Sequence, residues 1–171
     1  MSAAIMIPGL IAVSVKPVGG STWQLLGYCR DGVQVREQVR IRPIHGDEGG
    51  GPDGIPVDYS YLGEYHEVRL ELYKWDGNVM TLVSKRLPNQ QKPRTHIWEP
   101  GWLIKQGTDY FQLKLSSEWR FAQGQSGFVR EYHVAIPLSS IEYPLGPKEM
   151  VVMMEWTCLP DANGQLFSVP T

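Results

Sequence analysis

Val33-Gln34-Val35-Arg36-Glu37-Gln38-Val39-Arg40-Ile41-Arg42 and Glu67-Val68-Arg69-Leu70-Glu71-Leu72-Tyr73 are the two stretches on which the reading of this chain turns. In the first, Val33, Val35, Val39 and Ile41 alternate with Gln34, Arg36, Gln38, Arg40 and Arg42, and only Glu37 breaks the pattern. In the second, Val68, Leu70 and Leu72 alternate with Glu67, Arg69, Glu71 and Tyr73. A period of two places the apolar set on one face of a sheet and the charged set on the other. The run from Tyr28 to Trp75 therefore reads as two long strands joined by a glycine-rich loop.

The rest of the chain agrees with a β reading. Its 18 Gly and 13 Pro punctuate almost every segment. Long helices need stretches without them. The intervals are short and rich in Val, Ile, Leu, Tyr and Trp, as strands are. Strands are expected over Leu10–Val15, Thr22–Tyr28, Tyr110–Leu115, Phe128–Ile136, Met150–Cys158 and Gln165–Val169. Asp76-Gly77-Asn78 signals a hairpin from Tyr73 into Val79–Val83. Leu87–Pro100 reads as an extended connection. Short helical turns are expected over Asp58–Glu64, with Asp58 as cap, and over Ser116–Phe121. The expectation is one mainly-β domain over residues 1–171, a sandwich or barrel with a long hairpin and a projecting glycine-rich loop over 43–63.

Composition narrows the function classes. With 42% hydrophobic and 20% charged residues the chain is globular. Its 16 basic and 18 acidic residues leave a net charge of -2. A dedicated phosphate-backbone binder usually shows a basic excess. Cys29 and Cys158 are too few for a structural zinc site and are expected to be buried free thiols. The start lacks the basic flank of a signal peptide, and no segment has the apolar length of a membrane span.

No constellation for catalysis emerges. His45, His66, His96 and His133 share no close metal-binding spacing, and His66 and His133 read as satisfied sheet histidines. There is no GxSxG elbow, Walker loop or GxGxxG. Glu67 and Glu71 share a face with Arg69, opposite Arg36, Arg40 and Arg42, which favours cross-strand ion pairing over an acid pair. The loop holding Gly46, Asp47, Glu48, Gly49, Gly50, Gly51 and Asp53 does not fit an EF-hand, because the ligand positions counted from Asp47 fall on Gly49 and Gly51. Its length fits an arm that orders against a neighbouring subunit. No catalytic residue, cofactor site or metal site is assigned. Trp98 and Trp102 would offer a stacking platform if the chain were a carbohydrate- or receptor-binding module; filling a core or an interface is the reading preferred for its tryptophans.

Leu26-Gly27-Tyr28-Cys29-Arg30-Asp31-Gly32-Val33, Ile55-Pro56-Val57-Asp58, the strand Glu64–Trp75 and the closing Cys158–Phe167 segment follow one another in an order that resembles the tail tube proteins of tailed bacteriophages. Tail terminators, baseplate hub rings and capsid decoration proteins share this style of β domain. The resemblance implies a non-enzymatic virion protein, assembled in the host cytoplasm. It implies a homohexameric ring that stacks on further rings and meets other tail proteins, with DNA passing non-specifically through the lumen and no membrane partner. On that reading Gly46–Asp53 reaches a neighbouring subunit, and Gln34, Arg36, Arg40, Arg42, Glu67, Arg69 and Glu71 line the ring wall. Family lumens tend to be acidic, so the mixed charge of these residues is a departure.

Overall fold

A computed structural model of the chain describes residues 3–7, 10–45, 54, 56–84, 103, 105–106, 110–117, 129–137 and 151–169. Among them the elements are β1 (Ala3–Ile7), β2 (Ile11–Pro17), β3 (Gln24–Cys29), β4 (Val33–Ile44), β5 (Asp58–Trp75), α1 (Gly77–Ser84), β6 (Phe111–Ser117), β7 (Val129–Pro137), β8 (Val152–Leu159) and β9 (Phe167–Ser168). The fold is mainly β, as the alternation predicts. All strand pairings are antiparallel, and they form one sheet in the order β1-β4-β5-β3-β2-β6-β7-β8, with β9 on β7. An additional β5–β8 pairing joins the sheet back on itself, so β5-β3-β2-β6-β7-β8 run in a closed, barrel-like circuit. No helix of the described residues is long and apolar enough to cross a membrane.

The core lies inside this circuit. Alternate residues of four strands point inward: Ile11, Val13 and Val15 on β2, Phe111, Leu113 and Leu115 on β6, Val68, Leu70 and Leu72 on β5, and Val152, Met154 and Trp156 on β8. Trp156 is fully buried and meets Phe111 edge-on, with ring centroids 5.9 Å apart, an arrangement that suits the aromatic quadrupole. Gly27 lets β3 approach β5: a Cβ there would lie 2.2 Å from the Lys74 carbonyl oxygen.

Several local expectations are corrected. Asp58–Glu64 is not a helical turn but the first part of β5. Asp58, Tyr59, Ser60 and Tyr61 pair with Ile44, Pro43, Arg42 and Ile41, and these long-range pairings outweigh a local cap. The Asp76-Gly77-Asn78 signal does not turn a hairpin. Asp76 instead caps α1, its Oδ1 accepting from the backbone N–H groups of Asn78 (2.8 Å) and Val79 (3.0 Å). Val79, Met80 and Val83 then bury on one helical face. Ser116 and Ser117 end β6 rather than begin a helix, and the remainder of Ser116–Phe121 lies outside the described residues. The 43–63 segment is strand up to Ile44 and again from Asp58. Strand β1 had no sequence signal of its own. Leu87–Pro100 and Gly46–Asp53 lie outside the described residues.

Both cysteines are free and buried. Cys29 pairs with Leu72 and Cys158 with His66, positions on β5 that stand roughly 20 Å apart at ~3.3 Å per residue, too far for a disulfide. Burial pushes the Cys29 thiol up to about 12 and raises Cys158 as well. Neither thiol will react with a thiol-specific reagent in the native protein at neutral pH, and both will react once denaturant unfolds it; reagent absorbance during a denaturant titration checks this.

Candidate functional site

Strand β5 spans 18 residues, or about 60 Å at ~3.3 Å per residue. A compact domain of 171 residues has a radius of gyration of about 15–16 Å, hence a diameter of roughly 40 Å. One end of β5 must therefore overhang, and the pairings locate it. Glu37 is the last β4 residue paired with β1, opposite Ala3. His66 is the first β5 residue paired with β8, opposite Cys158. Glu37 and His66 also face each other across the β4–β5 ladder. Past this pair, β4 and β5 have only one another as partners among the described residues. They continue as a two-stranded arm, from Gln38 to Ile44 and from Asp58 to Tyr65, with an open edge on each side.

The arm keeps the alternation of the core strands. Val39, Ile41 and Pro43, opposite Glu64, Tyr61 and Tyr59, extend the register of Val33, Val35 and Val68. In the body that register is fully buried; in the arm Val39, Ile41, Tyr59 and Tyr61 are 44%, 54%, 57% and 64% exposed. The core face thus runs out of the core and into solvent. A bulge interrupts it. Arg40 pairs with Gly63 and Ile41 with Tyr61, so Leu62 is the extra residue, and Gly63 takes φ +132°, which disfavours a side chain. An isolated two-stranded hairpin is marginal in water, and open edges attract further strands.

The opposite face carries the charge. Gln34, Arg36, Arg40 and Arg42 stand across from Arg69, Glu67, Gly63 and Ser60, so the proposed wall residues of β4 and β5, Glu71 included, share one face pointing away from the core. Arg36 meets Glu67 at 3.6 Å and Arg69 meets Glu155 at 3.0 Å. Arg40 donates to the Tyr65 hydroxyl at 3.2 Å and lies over its ring. Exposed pairs of this kind add little stability.

Where the arm leaves the body, the apolar register changes character. Glu37, the break in the alternation, meets His66, Glu64 and Arg130 on the core side. His66 is fully buried. Its Nε2 lies 2.9 Å from Glu64 Oε1 and 3.9 Å from Glu37 Oε1, and its Nδ1 lies 3.2 Å from the Tyr132 hydroxyl. Arg130 donates to that hydroxyl at 3.2 Å, approaches Glu37 at 3.8 Å and stacks on Phe167 with 4.2 Å to the ring centroid. Burial raises the Tyr132 phenol far above its ordinary range, so it stays protonated. Phe167 is held in place by the β8–β9 turn. There Asp161 Oδ1 accepts from the N–H groups of Gln165 and Asn163, which holds its carboxyl below the ordinary carboxylate range.

His66 reads correctly as a satisfied sheet histidine; His133 sits in its strand β7 as expected, but its buried Nε2 has no hydrogen-bond partner among the described residues. The cluster around His66 joins two short i, i+2 pairs, Glu64 with His66 and Arg130 with Tyr132, to Glu37, and the three pieces lie far apart in sequence. Its only signal is Glu37 on an apolar register, with Glu64 and His66 on the same register of the partner strand. Residues Gly46, Asp47, Glu48, Gly49, Gly50, Gly51 and Asp53 lie outside the described residues, as do Trp98 and Trp102. Trp156 is core, and Trp23 lies under the ammonium groups of Lys16 and Lys114. No protein-family model and no curated protein matches the chain.

Replacing Tyr132 by Phe removes the hydroxyl that Arg130 and His66 share inside the protein. Leaving buried polar groups short of a partner costs about 1–3 kcal/mol. Urea denaturation of Tyr132→Phe will show a midpoint lowered by that amount with the slope unchanged.

Proposed function

We propose that this chain is a structural subunit that assembles with copies of itself through the β4–β5 arm, as the ring- and tube-forming virion proteins of tailed bacteriophages do. The observation that carries the reading is the arm itself, a ribbon with two open edges and a core-type apolar face exposed to water. Its open edge on β5 lies on one side of the β1-β4-β5 ribbon and the outer edge of β1 on the other. Edges on opposite sides suit head-to-tail contacts, and such contacts close into rings when the rotation permits.

Magnitudes favour a closed assembly over a single contact. Covering Val39, Ile41, Tyr59 and Tyr61 removes roughly 400 Å² from water, about 10 kcal/mol gross at ~25 cal/mol per Å². Association costs about 4–15 kcal/mol. One arm contact is therefore marginal, whereas a ring in which every subunit both gives and receives an arm multiplies the gain for each subunit held.

With the core outside, Gln34, Arg36, Arg40, Arg42, Glu67, Arg69 and Glu71 would line the inner wall. Pairing of Arg36 with Glu67 and of Arg69 with Glu155 offsets part of the positive charge, so DNA would pass a wall of mixed charge. The same surface would serve a tail terminator, a hub ring or a decoration protein. Nothing in this reading needs a catalyst. The chain's place is then the virion, with other tail proteins as neighbours.

Ile41→Arg and Tyr61→Arg place charge on the exposed apolar face and leave the core intact. Both variants will remain folded monomers in sedimentation velocity, while the parent chain forms larger species. Deleting Gly46–Asp53 will leave the folded core and block stacking of rings. Assembly of the point variants at parental concentration and size would contradict the proposal.

A further inference from the structure

The cluster at the base of the arm has the ligand set of a divalent transition-metal site, and we propose that Glu37, Glu64 and His66 bind one such ion, zinc being the type case. The proposal is independent of assembly. One ligand atom from each residue lies within 4.8 Å of the other two, close enough for bonds of about 2.0–2.2 Å to a shared ion after small side-chain rotations. The three side chains share one register on paired strands, Glu37 opposite His66 and Glu64 two residues away, so the sheet presets their spacing.

The surroundings fit a metal in three further ways. His66 is held from behind by the Tyr132 hydroxyl at Nδ1, the outer contact that orients a ligating imidazole and leaves Nε2 facing the carboxylates. With the metal on Nε2, the neutral imidazole carries its single proton on Nδ1 and donates it to the Tyr132 oxygen. The carboxylates are partly exposed, at 29% for Glu37 and 35% for Glu64, so the site has an entry path. The charges also leave room for a cation. Two carboxylates and the Arg130 guanidinium sum to one negative charge when the imidazole is neutral.

Arg130 decides the class of metal. Its guanidinium 3.8 Å from Glu37 weakens the field for calcium or magnesium, which depend on anionic oxygens alone. An imidazole nitrogen retains its preference for zinc, copper or nickel. The bound ion would clamp β4 to β5 at the Glu37–His66 pair where the arm departs.

The test uses the full chain, stripped with a chelator, titrated calorimetrically with Zn²⁺ and spectroscopically with Co²⁺. The parent protein will bind one ion per chain, show cobalt d–d absorption of a low-symmetry site, and unfold at a higher temperature with zinc present. Glu64→Gln and Glu37→Gln will each weaken binding by about tenfold or more, by analogy with the loss of outer ligand contacts. Glu71→Gln, on the opposite face, will leave it unchanged. Far-UV circular dichroism establishes that each variant is folded. If Glu37→Gln does not fold, the partly exposed Glu64→Gln carries the test. Absence of saturable binding to the parent overturns the proposal, and so does binding that Glu64→Gln leaves intact.

Discussion

The structure depends on the register between β4 and β5. One ladder, running from Gln34↔Arg69 to Ile44↔Asp58, serves two environments. In the body it places Val35 and Val68 against the core. Beyond Glu37 and His66 it presents the same face to water. A slip of β4 by one residue against β5, which β3 and β8 hold in place, would turn β4 over, burying Arg36 while exposing Val33 and Val35. The packed core therefore fixes which side of the distant arm is apolar. The bulge at Leu62 adds one local adjustment, returning the pattern to phase at Ile41 and Tyr61.

The polar cluster sits where these environments meet. A buried polar side chain needs partners, and here they come from separate parts of the chain: Glu37 from β4, Glu64 and His66 from β5, Arg130 and Tyr132 from β7, with Phe167 from β9 against them. The network joins the base of the arm to the strands of the body on the far side of β8. Groups that interlock this way resist replacement one at a time, because each loss leaves another buried group short of a partner. The cluster thus sets the point at which the core ends and the arm begins.

Much of the fold was legible because strands announce themselves by alternation. Val33–Arg42 and Glu67–Tyr73 are strand by pattern alone, and the opposite placement of their charged residues follows from the same period. The failures were local signals that long-range pairing or helix packing overrode. Asp58 after Pro56 looked like a cap, but the ladder to β4 claimed its segment. Asp76-Gly77-Asn78 looked like a hairpin turn, yet the burial of Val79, Met80 and Val83 favours a helix with Asp76 at its cap. The arm's exposure was not legible, since alternation cannot say whether an apolar face is covered. The cluster was nearly invisible, because Arg130 and Tyr132 lie more than sixty positions from His66 and only pairing brings them together. Glu37, the residue out of pattern, was its one mark.

The central claim is that the arm's apolar face is covered by a second copy of the chain. Particle mass combined with negative-stain images of the purified full chain tests it most directly. The account predicts closed rings or stacked tubes whose mass is an integral multiple of the subunit. A uniform population of monomers, at concentrations where the arm face would otherwise stay exposed, would contradict it.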